Sequence, residues 1–392
     1  MLLFAIQTSH FGSCRLPKAL KEAGFCVGAL APRSSLVHAS RYVDERFRLG
    51  ARRFEPIIRH GIENAFKKFG PDLIVPCDEW AAAIVNHWVG KGGGSGRRLT
   101  PQLLQCLERS LGPLQRLPQR ASKPDTLALA RAIGVLCPRE TIVEDFPGCE
   151  KAAGEYGYPV VLKLSHGAAG SGVKVCETRE ELKGAFGSFK QAQLKSDIML
   201  RRLLRGDWFG SRLDILVQEH VSGQPGMSCA SAVDGRTVSV LTGLVEATTS
   251  QTGPASVVHL ANQPLIVDAT IKMITAFGAS GFVSFDFIVD DRGQTYLLEC
   301  NPRPTPMLHL GPLVGVDLAK ALLAGLQNGR CDTNCEVPAG ERTVSIFPQE
   351  WVGDPSSPSL RATYHDVPWD DPTLLAAVMR KRPVRRLRRR FL

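Results

Sequence analysis

Gly281-Phe282-Val283-Ser284-Phe285-Asp286-Phe287-Ile288-Val289-Asp290-Asp291-Arg292-Gly293-Gln294-Thr295-Tyr296-Leu297-Leu298-Glu299-Cys300-Asn301-Pro302-Arg303 reads as two strands folded about a tight turn. Residues 281–289 alternate in the manner of a strand, Asp290-Asp291-Arg292-Gly293 is a turn signal, and 295–299 runs back. Folding about that turn brings Asp286 to within about one residue of Glu299. Asn301, two residues beyond Glu299, faces the same side because the side-chain period of a strand is two. Two carboxylates and an amide oxygen on one face are hard oxygen ligands suited to Mg²⁺, with Mn²⁺ as an alternative. Solvated acids on an edge hairpin are the bland alternative. Both acids lie inside apolar runs, however, where an unpaired charge is costly. Arg303 follows between Pro302 and Pro304, whose rings stiffen the backbone, so its guanidinium is placed to grip a carboxylate or phosphoryl oxygens.

Working upstream, Lys163 lies in an apolar strand over 159–164, and a buried ammonium needs an anionic partner. Next comes a small-residue loop, in which Gly167, Gly170 and Gly172 leave room for backbone N–H groups to cover a phosphate chain. Residues 173–175 return as a second strand. Further on, Leu216-Val217-Gln218-Glu219-His220-Val221 is an apolar strand ending in polar residues, able to offer adenine a backbone edge near Gln218, Glu219 and Val221. A hairpin tip or a strand end of this kind is non-specific alone; the metal hairpin downstream makes the set informative.

The rest of the chain frames these pieces. A length of 392 residues predicts more than one domain. Residues 1–90 alternate strands (2–6, 25–30, 73–76) with helices (16–23, 54–69), which argues for a parallel doubly wound sheet. Its first turn lacks the Gly-x-Gly-x-x-Gly fingerprint of a dinucleotide site, and the glycine-rich 90–96 lacks the Gly-Lys-[Ser/Thr] ending of a P-loop. From 158 onward strands come as hairpins, predicting antiparallel sheets. After 330 the chain turns rich in Pro, Gly, Ser and Asp. The net charge of +10 includes eight cations within residues 380–392, so the remainder is nearly balanced at +2. The tail could contact anionic partners, but the main chemistry lies elsewhere. Eleven scattered cysteines without a Cys-x-x-Cys pair disfavour a disulfide framework or a structural zinc, and point to reduced thiols in the cytoplasm. No apolar run reaches the roughly 18 residues a membrane span needs, and Met1–Gln7 reads as a strand rather than a leader. Nucleophile-elbow and His-Glu-x-x-His motifs are absent, so hydrolase readings gain nothing. Oligomeric state is not legible.

These residues resemble the ATP-grasp superfamily, most closely its carbamoyl-phosphate-synthase-like branch, over about 115–330. Phe285-Asp286-Phe287 and Leu298-Glu299-Cys300-Asn301-Pro302-Arg303 resemble the family's metal hairpin, with Asp286, Glu299 and Asn301 as ligands. The resemblance makes Lys123, in Ser122-Lys123, and Lys163 phosphate-contacting lysines, loop 167–172 the nucleotide cover, and Gln218-Glu219-His220-Val221 the adenine hinge. Leu164, where many relatives carry proline, and a possible insertion over 182–211 depart from the pattern. The implied fold is α/β and α+β: a Rossmann-like pre-ATP-grasp domain (1–115), two ATP-grasp subdomains with antiparallel sheets (116–212 and 213–330), and a C-terminal extension with the basic tail (331–392). The implied activity is ATP- and Mg²⁺-dependent ligation of a small-molecule carboxylate to an amine or another nucleophile such as a thiol. It passes through an acyl phosphate, with Arg303 and Lys163 catalytic. A biotin-carboxylase-type enzyme and a non-catalytic ATP sensor are the alternatives.

Overall fold

The computed structural model describes residues 1–7, 11–50, 55–89, 99–165, 172–204, 214–250, 253–328 and 335–380. Four short strands, β1 (Leu2–Phe4), β2 (Gly28–Pro32), β3 (Glu45–Leu49) and β4 (Ile74–Pro76), form a parallel sheet in the order β3-β2-β1-β4. β1, β2 and β4 are buried throughout, as expected when helices cover both faces. On one face lie helices Glu55–Phe69, Glu79–Val89 and Pro101–Leu111, packed through Ile58, Ile62, Ile84, Leu103 and Leu107. Thr100 caps the last of these, its side chain accepting from the Leu103 N–H, and Pro101 occupies the first turn.

The second sheet has the order β5-β8-β6-β7, from β5 (Glu140–Val143), β6 (Val160–Leu164), β7 (Val173–Cys176) and β8 (Ile215–Glu219), all antiparallel. The expected boundary at 212/213 therefore separates β8 from the sheet it completes. The segment expected as an insertion over 182–211 begins within a helix, Arg179–Leu204.

The third sheet has seven strands in the order β13-β12-β9-β10-β11-β14-β15. They are β9 (Gln224–Val233), β10 (Arg236–Thr248), β11 (Ala255–Leu260), β12 (Gly281–Val289), β13 (Thr295–Asn301), β14 (Arg342–Ser345) and β15 (Tyr364–His365). All neighbours are antiparallel except β14 and β15. One face packs on helix Pro264–Phe277 through Ile266, Met273, Ile274 and Phe277. The other shares a core with the parallel sheet, joined by Leu308, Leu310, Leu318 and Leu322. The segment after 330 is thus more than an irregular extension, because it supplies two strands. It also ties back to the first domain: Asp366 pairs with Arg15 at 2.5 Å and lies 2.8 Å from His309 Nε2, and Ser40 Oγ donates to Asp371 at 2.7 Å.

Among the described residues all ten cysteines are free, and no single helix is long and apolar enough to cross a membrane. One bent helix pair, Leu308–Val314 with Leu318–Gln327, passes that test by length and composition, yet its apolar side chains form part of the shared core.

Candidate active site

The β12–β13 hairpin pairs Asp286 with Glu299 directly, closer than the sequence spacing promised. A one-residue bulge produces this match. Phe287 pairs with Leu297 and Asp286 with Glu299, which leaves Leu298 unpaired between them. Phe285, Phe287 and Leu297 enter the core beneath, while Glu299 stays with Asp286 on the opposite face. Without the extra residue Glu299 would fall on the same side as Leu297. Asp290 closes the turn, its side chain accepting from the N–H groups of Arg292 and Gln294.

Asn301 Nδ2 donates to Asp286 Oδ2 at 2.9 Å. Burial, then the neighbouring Glu299 carboxylate, pushes Asp286 up to about 7. For Glu299 burial pushes upward too, but Lys123 and Lys163 outweigh it and hold the group at about 2. The two carboxyls are hydrogen-bonded to each other and titrate as a pair. Two acids in contact with an amide beside them fit a divalent cation, which would replace the shared proton. Among the described residues no group of three or more His, Cys, Asp or Glu gathers at metal distance. A pair plus an amide is the sparse set that Mg²⁺ takes when phosphate oxygens and water complete its shell.

Lys123 opens helix Lys123–Ala132, where the Ser122 side chain accepts from the Asp125 N–H, and its Nζ lies 2.9 Å from Glu299 Oε2. Burial works against its charge, but Glu299, then Glu79 and Asp286, hold its pKa above the ordinary value. Lys163, on β6 between Val173 and Leu216, is only 8% exposed. Burial and then Lys123 bring it down to about 8, with Glu299, Glu140 and Asp286 opposing. Gly172 closes the loop in the left-handed region (φ +88°), where a Cβ would press on Leu164. Gly167 and Gly170 lie outside the described residues.

At the expected adenine edge, Gln218 is buried and its amide donates to Glu140 Oε2 at 3.1 Å. The Glu219 carboxylate is taken by Arg139, at 3.1 Å from Nε and 3.0 Å from the terminal nitrogen. Its backbone N–H donates to Arg139 O. Val221 is half-buried just past the strand.

Arg303 reaches a partner that the sequence reading missed. Its Nε donates to Glu79 Oε1 at 2.8 Å, a terminal nitrogen bonds the same oxygen, and that nitrogen also lies 3.4 Å from Asn301 Oδ1. Burial opposes its charge, yet Glu79 outweighs that and raises its pKa. Glu79 begins the helix after β4, and its neighbour Asp78 is fully buried. Asp78 accepts from the N–H groups of Ile6, Gln7 and Ala81, which locks that corner of the parallel sheet. The first domain therefore contributes a carboxylate to the site. An Asp-Glu pair at the carboxyl end of a buried strand was the available signal.

Two lysines, an arginine and a carboxylate pair converging between antiparallel sheets form a set whose charges suit phosphoryl groups and a divalent metal. A model of the ATP-grasp domain matches residues 125–307. The chain is 24% identical over 293 residues to the D-alanine–D-alanine ligase of Pseudomonas entomophila, covering 70% of this chain and 85% of that protein. Its fold is similar to the biotin carboxylase domain of the Hydrogenobacter thermophilus 2-oxoglutarate carboxylase, solved with MgADP and bicarbonate. That match has a TM-score of 0.61 at 17% identity and covers 85% and 71% of the two chains. The N5-carboxyaminoimidazole synthetase of Staphylococcus aureus, solved with ADP, gives a TM-score of 0.61 at 12% identity and covers 87% and 81%. The likeness to the ATP-grasp family thus lies over residues 125–307, and the fold around them is similar to that of these enzymes.

Proposed function

We propose that this protein joins a small-molecule carboxylate to an amine at the expense of ATP, releasing ADP and phosphate. The observation that carries this reading is the convergence of Lys123, Lys163 and Arg303 on the Asp286–Glu299 pair. ATP and Mg²⁺ are the cofactors. Asp286, Glu299 and Asn301 would hold the metal, which would supply charge neutralisation to the phosphates when bound. Lys123 and Lys163 bind and orient the phosphates, and β8, with Gln218, Glu219 and Val221, borders the adenine pocket. The carboxylate attacks the γ-phosphorus to give an acyl phosphate and ADP, and the amine then displaces phosphate. Such transfers depend on positioning and charge neutralisation, so Arg303 steadies the carboxylate and the developing acyl phosphate. The free thiols support placing the protein in the cytoplasm.

The test incubates the protein with MgATP and pools of amino acids, dipeptides and bicarbonate, reading phosphate release and product mass. A pool that raises release and yields a conjugate supports the ligase. Bicarbonate alone raising release would shift the reading to a carboxylase. ATP binding without release above background in any pool would leave the sensor.

A further inference from the structure

A second, positively charged cleft lies away from this site. Arg33 in the loop after β2, Arg46 and Arg48 on β3, and Arg380 at the end of helix Pro372–Met379 line one cavity of about 450 Å³ together with Ser35 and His38. No aspartate or glutamate lines it. Arg46 gives its hydrogen bonds to neutral acceptors, the carbonyls of His38 at 3.1 Å and Ser40 at 2.7 Å. Among the described residues no ion pair engages Arg33, Arg48 or Arg380. Four guanidiniums in one concavity, with no counter-charge among the described residues, hold a potential that an anion would relieve.

His38 reports the same field. Its Nε2 lies 3.0 Å from Ala31 O, and its Nδ1 is buried without a partner. Burial lowers its pKa, and Arg46 and Arg48 lower it further. Arg33 follows Pro32 at the carboxyl end of β2. Glu79 and Arg303 stand at the other edge of the sheet, beyond β4.

We propose that this cleft binds a small free anion carrying phosphoryl groups, independently of the ATP-grasp site. Guanidinium forks match phosphoryl oxygens two bonds at a time, and the volume falls within the roughly 300–1,000 Å³ of small-molecule sites. A concave, three-sided wall built from the loop after β2, β3 and the C-terminal helix suits a compact ligand better than a planar membrane surface.

Inorganic tripolyphosphate, titrated calorimetrically into the full chain in magnesium-free buffer, tests the assignment. The wild type and Lys163→Ala should bind alike, and Arg48→Glu/Arg380→Glu should bind about 100-fold more weakly. The double variant should keep its melting temperature and its MgATP-dependent phosphate release. Should it fail to fold, Arg48→Gln/Arg380→Gln replaces it. No binding by wild type, or binding that is lost with Lys163 rather than with the arginines, overturns the proposal. So does arginine-dependent retention on phosphatidylglycerol-containing vesicles without tripolyphosphate binding.

Discussion

Lys163 is a buried cation whose proton is loosely held. Its pKa of about 8, against the ordinary 10.5, means the nucleotide-free folded protein binds fewer protons than the unfolded chain between those values. This group therefore makes the empty protein more stable as pH rises through that window. Nucleotide affinity moves the other way. Below about pH 8 the ammonium is already charged; above it, phosphate binding must take up a proton, and affinity should fall by up to about tenfold per pH unit. ADP affinities between pH 7 and 9.5 check this, and an unchanged slope in Lys163→Met would remove Lys163 as the source. Glu299→Gln should lower MgATP-dependent turnover by about 100-fold or more with little change in melting temperature, and near-normal activity would overturn its place at the metal. Glu79→Gln leaves Arg303 without its anionic partner. We expect the KM for the productive carboxylate to rise about tenfold, with ADP affinity unchanged; a parallel loss of ADP binding would mean that Glu79 supports the whole cleft.

At the scale of elements the hairpin β12–β13 was legible because its alternation, its turn at Asp290-Asp291-Arg292-Gly293 and its embedded acids all agree. The bulge at Leu298 was not, since one extra residue in an apolar run leaves no mark on the pattern. β3 escaped notice because Glu45-Arg46-Phe47-Arg48 is a half-exposed edge strand without an apolar rhythm. β8 was given to the wrong neighbour because sheet membership depends on pairing across long separations, such as Glu140 with Gln218, which local sequence does not encode. The joint between the first domain and the hairpin is equally non-local. Gly281 has φ +76°, and a Cβ there would lie 2.3 Å from Ser110 O at the end of helix Pro101–Leu111. Gly281→Ala should cost about 2–4 kcal/mol in unfolding free energy. Gly293→Ala, at the same φ but with open space around it, should cost only about 1 kcal/mol. Equal losses in denaturant melts would show that backbone conformation alone governs both positions.

For the whole molecule, charge and architecture separate at Arg380. Removing residues 381–392 takes away seven cations but none of the described packing, so ADP affinity and melting temperature should stay at wild-type values. Loss of ADP binding on that truncation would mean that the domains are drawn wrongly. Removing everything from 335 is a different operation. β14 and β15 leave the large sheet, and Phe347, Leu374 and Val378 leave Cys14 and Leu36.

β14 carries a further consequence. It is the strand that covers the outer edge of β11, pairing Val257 with Ser345 and Leu260 with Arg342. A polypeptide emerging amino end first finishes β11 roughly eighty residues before that cover exists, about 4–16 s at ~5–20 residues per second. Throughout that interval a row of unpaired amides and carbonyls faces outward on the nascent chain. Protein synthesis itself thus opens a window in which β11 is a docking strip for a chaperone or for a neighbour on the same polysome.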